Sequence, residues 1–118
     1  MKFARLNKKK ICIVTGSNGL IGFDTVKFFI KKNFTVIGID NNLRKFFFGK
    51  IGSTTKNKKI LTDNFKKYKH YSIDIRNRKK ITKIFQKYKS SIKVVVHCAA
   101  QPSHDWAYKN PFIDFDVN

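Results

Sequence analysis

Three regularly spaced glycines between two apolar segments constrain the fold of this chain more than any other feature. Gly16, Gly19 and Gly22 follow directly on the apolar run of residues 11–14 and precede a segment with helical spacing. A short uninterrupted apolar run is typical of a strand buried on both faces of a parallel sheet. We therefore predict a strand, a tight turn and a helix that ends near Asn33.

Each glycine has a predicted role in binding a dinucleotide. Gly16 permits the turn, Gly19 lets a pyrophosphate approach the backbone, and Gly22 lets the helix pack closely on the sheet. Phosphate oxygens then bind the free N–H groups at the start of the helix, near Leu20 and Ile21.

An acidic residue ends the second apolar strand, predicted over residues 35–40. Asp40 lies 18 residues after Gly22, near the offset of about 20 expected for an acid that binds the adenosine ribose. Its carboxylate accepts hydrogen bonds from both ribose hydroxyls and repels a 2′-phosphate, which favours NAD over NADP. Arg44 can contact a phosphate and weakens this preference slightly.

The rest of the chain continues the alternation of strands and helices. The predicted elements are a short helix over 58–65, a strand over 70–73, a helix over 78–89 capped by Asn77, a strand over 94–98, and the start of a helix over 112–118. This order predicts one α/β domain over residues 1–118, a Rossmann-type parallel sheet of strand order 3-2-1-4 with helices on both faces. The sheet is expected to be incomplete, because the last strand forms an exposed apolar edge, and the isolated chain is expected to be marginally stable.

With these residues placed, the chain resembles the extended short-chain dehydrogenases of the NAD-dependent epimerase/dehydratase family. The resemblance rests on T-G-x-x-G-x-x-G at residues 15–22, D-I-R at 74–76, the segment 96–100, and D-V-N at 116–118. It covers essentially the whole chain but only the N-terminal third of such an enzyme. It implies that Asp74 and the N–H of Ile75 hold the adenine, and that the segment before Gln101 runs beneath the cofactor. The turn and the resemblance together predict that the cofactor-binding residues are Gly16, Asn18, Gly19, Leu20, Ile21, Gly22, Asp40, Asn41, Asn42, Arg44, Asp74, Ile75, Ala99, Ala100 and Gln101.

Two loops resemble those of one subfamily, the CDP-paratose 2-epimerases (CDP-tyvelose 2-epimerases). They are residues 40–49 with 52–54, and residues 101–107 followed by Pro111-Phe112 and Asp114-Phe115. The resemblance implies a CDP-sugar whose C2 gives a hydride to NAD⁺ and takes it back on the other face. Ser103 and His104 are then candidates for the substrate side, although a purely structural loop is the alternative. Another sugar-nucleotide epimerase or dehydratase is also an open alternative.

The catalytic pair that the family implies is absent from this sequence. Its base is a tyrosine activated by the lysine of a Tyr-x-x-x-Lys motif. The four tyrosines, Tyr68, Tyr71, Tyr88 and Tyr108, have Ser, Ile, Ile and Phe four residues later. No catalytic residue is therefore predicted. We expect a fragment that is inactive alone, or a non-catalytic NAD-binding module or split-enzyme half with a complementing C-terminal chain; a homo-oligomer is also open.

The charge of the chain invites a nucleic-acid hypothesis, which the sequence does not favour. There are 26 Lys and Arg against 7 Asp and Glu, a net charge of +19. The lysines are spread along the chain rather than clustered, and the absence of glutamate fits drift towards AT-rich codons. We expect weak nonspecific attraction to polyanions at low salt and no specific nucleic-acid partner.

Other site types are not predicted. The histidines and cysteines lack metal-ligand spacing. The adjacent Ser103, His104 and Asp105 cannot converge as a hydrolytic triad, which needs side chains from separate elements. His97 is expected to be a core histidine bonded to backbone, and Cys12 and Cys98 to be buried, reduced thiols. No apolar run approaches the ~20 residues of a membrane span and no secretory signal is evident, so we expect a cytoplasmic chain.

Overall fold

In the part of the chain that the structure describes, four strands alternate with helices. A computed structural model describes residues 9–41 and 55–100, together with Lys109 and Phe112. Its elements are β1 (Ile11–Thr15), α1 (Leu20–Lys31), β2 (Thr35–Ile39), α2 (Thr55–Asn64), β3 (Tyr68–Tyr71), α3 (Arg78–Tyr88), a 3₁₀ turn (Lys89–Ser91) and β4 (Ile92–His97).

The strands form one parallel sheet in the order β3-β2-β1-β4, which confirms the predicted order. Successive side chains of a strand point to opposite faces of the sheet, so the central strands contribute to a core on each face. Cys12 and Val14 join Val26 of α1 and Leu61 of α2 in one core cluster. Ile11 and Ile13 join Ile84 of α3 in the other. Helices therefore cover both faces, as predicted.

Local signals for the helix ends are confirmed. The side chain of Asn77 accepts a hydrogen bond from the backbone N–H of Lys80 at 3.1 Å and so caps α3. Asn33 adopts a positive φ of 68° just after α1, a conformation that asparagine tolerates at a helix end.

Three elements begin earlier in the chain than predicted, among them the fourth strand, which starts at Ile92 rather than at residue 94. The third strand covers Tyr68–Tyr71, because pairing with β2 already begins at Tyr68 and the chain turns away where the Ile73 N–H bonds the Tyr71 carbonyl. The second helix starts at Thr55, three residues before the predicted start.

The last strand was predicted to form an apolar edge of the sheet, whereas His97 was predicted to be a core histidine bonded to backbone, which is wrong. Within the described residues β4 is an edge of the sheet, and Val95 is 47% exposed. His97 is likewise exposed rather than in the core. Its Nδ1 lies 2.6 Å from the Thr15 hydroxyl, not on a backbone group. Only one face of an edge strand is packed here, so alternate residues point to solvent.

Both cysteines are free thiols, with Cys12 buried and Cys98 half-buried. Burial, followed by the nearby Cys98, raises the pKa of the Cys12 thiol to about 11, which keeps it protonated at neutral pH. Among the described helices, none is both long and apolar enough to cross a membrane.

Candidate functional site

A cleft of about 250 Å³ lies where β1, β2 and β4 end. Ten of the predicted cofactor-binding residues line it: Gly16, Gly19, Leu20, Ile21, Gly22, Asp40, Asn41, Ile75, Ala99 and Ala100. Ile39, Ile73 and Cys98 also line the cleft and were not predicted. They flank predicted residues at strand ends, which is the signal that would have found them, because ligands of open parallel sheets bind outside the carboxyl ends of the strands.

Gly16 is required by its conformation and by its surroundings. Its φ of +69° lies in the left-handed region, and a Cβ there would come within 2.7 Å of the Ala99 nitrogen. The Gly16 N–H donates to the Ile39 carbonyl at 2.7 Å. The turn is therefore closed between the ends of β2 and β4, with no space for a side chain at its first residue.

Gly19 and Gly22 differ in what excludes a side chain. A Cβ on Gly22 would overlap the Gly16 carbonyl, so this glycine lets α1 pack against the turn itself rather than against the strands. A Cβ on Gly19 would meet only the Gly16 oxygen, at 3.3 Å, and its φ of −75° suits any residue. Packing therefore explains Gly22, whereas Gly19 keeps clear a surface that faces the cleft.

The start of α1 has neither a side-chain cap nor an acid in its first turn. Its first N–H groups therefore depend on other partners. Leu20 and Ile21 expose 84% and 69% of their surfaces beside the cleft. These two apolar side chains therefore present exposed surface beside the cleft that a bound ligand can cover.

Asp40 couples the end of β2 to the glycine turn. Its Oδ2 accepts a hydrogen bond from the backbone N–H of Asn18 at 3.0 Å. Asn57 of α2 donates to the Asn18 carbonyl at 2.9 Å. Asn18 itself is buried and does not line the cleft. Asn18 was predicted to bind the cofactor, but the structure places it behind the turn, where its backbone hydrogen bonds hold the loop.

The Asp74 carboxylate is bound by its own neighbour. Arg76 donates from Nη2 at 2.6 Å, from Nε at 3.0 Å and from its backbone N–H at 2.9 Å. These hydrogen bonds hold the pKa of Asp74 below its usual value. Asp74 does not line the cleft, but the flanking Ile73 and Ile75 do. They give the cleft an apolar wall at the end of β3.

The end of β4 is tied to the end of β1. The Thr15 hydroxyl accepts a hydrogen bond from the Ala99 N–H at 3.2 Å, and the Cys98 N–H donates to the Thr15 carbonyl at 3.0 Å. Ala99 and Ala100 are thereby held on the floor of the cleft. Their small side chains leave room above them.

A chain of polar side chains behind the turn was not predicted from the sequence. The Tyr68 hydroxyl donates to Ser17 Oγ at 2.9 Å and lies 3.0 Å from His70 Nδ1. His70 Nε2 lies 3.2 Å from Ser72 Oγ, which accepts from Lys58 at 3.4 Å. No motif predicts these contacts, since the glycine turn, β3 and α2 supply the residues and come together only in the folded domain.

A second pocket adjoins these hydrogen-bonded side chains and shares Asp40 and Asn41 with the cleft. Asn18, Thr55, Lys58, His70 and Ser72 complete its lining. The other predicted site residues, Asn42, Arg44, Gln101, Ser103 and His104, lie outside the described residues.

The sheet order, the glycine turn and the cleft at the strand ends define a Rossmann-type domain. Comparison with protein families agrees: the family model described as GDP-mannose 4,6 dehydratase matches residues 13–118. The chain therefore belongs to this family of NAD-dependent epimerases and dehydratases within the short-chain dehydrogenases.

A curated relative and two crystal structures are similar to the chain. The relative is the UDP-glucuronate 4-epimerase of Thermodesulfobacterium geofontis, 33% identical over 106 residues, which are 90% of this chain and 31% of that enzyme. The UDP-glucose 4-epimerase of Stenotrophomonas maltophila, with bound NAD and formylated UDP-arabinopyranose, matches 92% of this chain and 30% of its own with TM-score 0.71 and 24% identity. The UDP-glucose 4-epimerase of Thermotoga maritima, with UDP-glucose, matches 91% and 29% with TM-score 0.70 and 23% identity. At these identities the two structures establish the fold, and the chain spans about a third of each relative.

Proposed function

We propose that this chain is the NAD-binding N-terminal part of a sugar-nucleotide epimerase that resembles CDP-paratose 2-epimerases. One observation carries the proposal: the glycine turn, Asp40 and the Ala99–Ala100 pair converge on a single cleft at the carboxyl ends of the strands. Parallel sheets of this type bind dinucleotides at that place.

The residues of the cleft fit the parts of NAD. The uncapped start of α1 beside Gly19 suits the pyrophosphate. Asp40 suits the adenosine ribose, and the wall of Ile73 and Ile75 suits the adenine. NAD supplies a hydride acceptor when bound, and the residues of this chain bind it and orient it.

The charge at Asp40 supports NAD over NADP. A 2′-phosphate on the adenosine ribose would stand within a few ångströms of the carboxylate. Like charges at about 4 Å cost on the order of 1 kcal/mol in water and about 4 kcal/mol near a protein surface. The first figure alone corresponds to roughly a fivefold loss of affinity.

Calorimetric titration of the purified chain with NAD and with NADP tests the cofactor. We expect NAD to bind and NADP to bind about tenfold more weakly. Asp40→Asn keeps an oxygen that can accept a hydrogen bond from the Asn18 N–H but removes the charge. It is therefore expected to reduce the difference in affinity between NAD and NADP. The proposal fails if NAD does not bind, or if NADP binds more tightly than NAD.

The nucleotide sugar is proposed from sequence. The segments 40–49 and 101–107 carry the resemblance to CDP-paratose 2-epimerases. The relative from Thermodesulfobacterium geofontis acts, by its name, on a UDP-sugar, which makes a UDP-sugar the second candidate. Sequencing the gene beyond codon 118 tests both, because the sugar-binding residues of a downstream frame can be compared with those of each class.

We propose that the chain alone does not epimerise. None of its four tyrosines has a lysine four residues later, so the family's base is missing. Incubation with NAD and either CDP- or UDP-sugars, followed by chromatography, is expected to show no product. Turnover well above that of a blank would refute the claim.

The catalytic segment is proposed to come from outside these residues. It is either the continuation of the same chain or a complementing C-terminal chain; a homo-oligomer of these residues would not supply it, because each copy lacks the motif. A continuous downstream frame encoding Tyr-x-x-x-Lys supports the first, and a separate intact gene supports the second. The free thiols support a reducing, cytoplasmic setting.

A further inference from the structure

The inference concerns the space behind the glycine turn, on the side away from the cleft. β2 carries a glycine at position 38, and a Cβ there would overlap the Tyr68 hydroxyl and lie 2.6 Å from Ser17 Oγ. The absent side chain therefore creates the space in which the Tyr68 hydroxyl reaches Ser17. Gly38 has no conformational need to be glycine, since no positive φ is found there.

The resulting hydrogen bond is fully enclosed. The Tyr68 hydroxyl donates to Ser17 Oγ at 2.9 Å, Ser17 is completely buried, and Tyr68 is 7% exposed. Burial is the first cause that raises the pKa of Tyr68 to about 12, so the phenol keeps its proton. The contact is thus a permanent donor–acceptor pair at neutral pH.

Ser17 lies inside the turn that the cleft depends on, between Gly16 and Asn18, yet it does not line the cleft. The next residue, Asn18, is held by Asp40 and Asn57 through its backbone N–H and carbonyl. The hydrogen bond from Tyr68 restrains Ser17 in the same way. Together these contacts fix the direction in which the turn leads into α1.

We propose that Tyr68 is a positioning residue for the dinucleotide. It acts through Ser17 from behind the turn, and so keeps the N–H groups at the start of α1 aimed at the pyrophosphate. The role rests on the proposed NAD binding. It assigns a function to a tyrosine that touches neither the cleft nor the cofactor.

A double-mutant cycle on the whole chain tests the role. Tyr68→Phe removes the phenol oxygen, and with it the contact to His70 Nδ1 as well, whereas Ser17→Ala removes only the hydroxyl that receives the hydrogen bond. Each is expected to raise the Kd for NAD about fivefold, the factor that one hydrogen bond of ordinary net strength represents. The double variant is expected to bind no worse than the weaker single variant, because both substitutions remove one shared contact.

Tyr88→Phe is the matched control. The Tyr88 hydroxyl makes a similar contact, 2.9 Å from the Tyr71 hydroxyl. Tyr71 and Tyr88 pack with the cluster that contains Ile84 of α3, on the face opposite Tyr68. Because this pair is only part-buried, we expect the variant to lose somewhat less stability to urea than Tyr68→Phe, and to bind NAD with unchanged Kd.

The possible results separate the two proposals. If the parent chain binds NAD but Tyr68→Phe and Ser17→Ala bind equally well, the positioning role is overturned while the proposed function stands. Additive losses in the double variant, or an equal loss in Tyr88→Phe, also overturn the role, because they indicate general loosening. If the parent chain does not bind NAD, both proposals fail.

Discussion

Replacing Gly22 by alanine is expected to loosen α1 from the turn that precedes it. A Cβ at this buried helical position would overlap the Gly16 carbonyl oxygen, and it would lie 2.7 Å from the Gly16 carbonyl carbon and 3.0 Å from Ser17 Cα. All three are backbone atoms, so no side-chain rotation relieves the overlap. The helix or the turn must move, and both line the cleft.

The magnitude follows from two opposing effects. Overpacking in a well-packed site costs about 1–3 kcal/mol, and backbone neighbours put this case near about 3 kcal/mol. Alanine gains about 1 kcal/mol over glycine in a helix interior. The net loss is about 2 kcal/mol, a large share of the ~5–15 kcal/mol by which domains are stable.

The assay is thermal and urea unfolding followed by far-ultraviolet circular dichroism. At about 4 °C per kcal/mol for a domain of this size, the melting temperature of Gly22→Ala should fall by about 8 °C. A melting temperature equal to that of the parent would refute the reasoning, because the overlap would then be absorbed without cost.

Gly19→Ala provides the contrast. Its Cβ meets only the Gly16 oxygen at 3.3 Å, so the cost is that of a poorer helix cap, about 0.5–1 kcal/mol. The methyl group would nevertheless occupy the surface that the pyrophosphate approaches, so the Kd for NAD should rise more than tenfold. A variant that binds NAD normally, or that melts as low as Gly22→Ala, would contradict the assigned roles.

Three further outcomes are expected. Asn77→Ala should cost about 1 kcal/mol in urea unfolding because α3 loses the cap on the Lys80 N–H. Burial first, and then Lys58, lower the pKa of His70 below 6.5. The unfolded chain therefore takes up that proton first, and the free energy of unfolding should fall as the pH drops below about 6.5. With a net charge of +19, the chain should bind heparin at low salt and release it by roughly 200 mM salt.

Each of these three outcomes has a control. Asn77→Asp keeps an oxygen for the cap and should retain parental stability, and an equal loss in both variants would count against capping. His70→Gln should flatten the pH profile between about 6.5 and the lowered pKa, and an unchanged slope would assign it to other groups. Binding to heparin that persists at high salt would argue for a specific polyanion site.

Sequence patterns determined the order and type of the elements but not all of their limits. The central strands β1 and β2 consist mainly of unbroken runs of apolar residues, and these runs indicated their burial directly. The third strand and the second helix were predicted to start too late in the chain. Tyr68 and Asn57 are polar residues, and their positions depend on partners that are distant in sequence. His97 was misjudged because, among the described residues, nothing covers the face of β4 that carries it.

The candidate site divides in the same way. The glycine spacing and Asp40 were visible because short-range geometry fixes them: a left-handed turn at Gly16 and a carboxylate at the end of the next strand. Ile39 and Ile73 were missed because apolar residues at strand ends carry no motif, and Cys98 lies in the segment 96–100 but was predicted only to be a buried thiol. The Asp74 carboxylate was expected on the adenine, whereas its nearest partner is the guanidinium two residues away.

The sequence by itself determined that this chain forms a Rossmann-type sheet with a glycine turn and an acid at the end of the second strand. Those properties depend on local spacing, periodicity and the absence of a Cβ. Only the tertiary structure showed what Gly22 packs against, which is the backbone of Gly16 and Ser17 in the turn. It alone also brought Tyr68 across Gly38 to Ser17, because these three residues lie on different elements and meet only when β2 and β3 pair behind the turn.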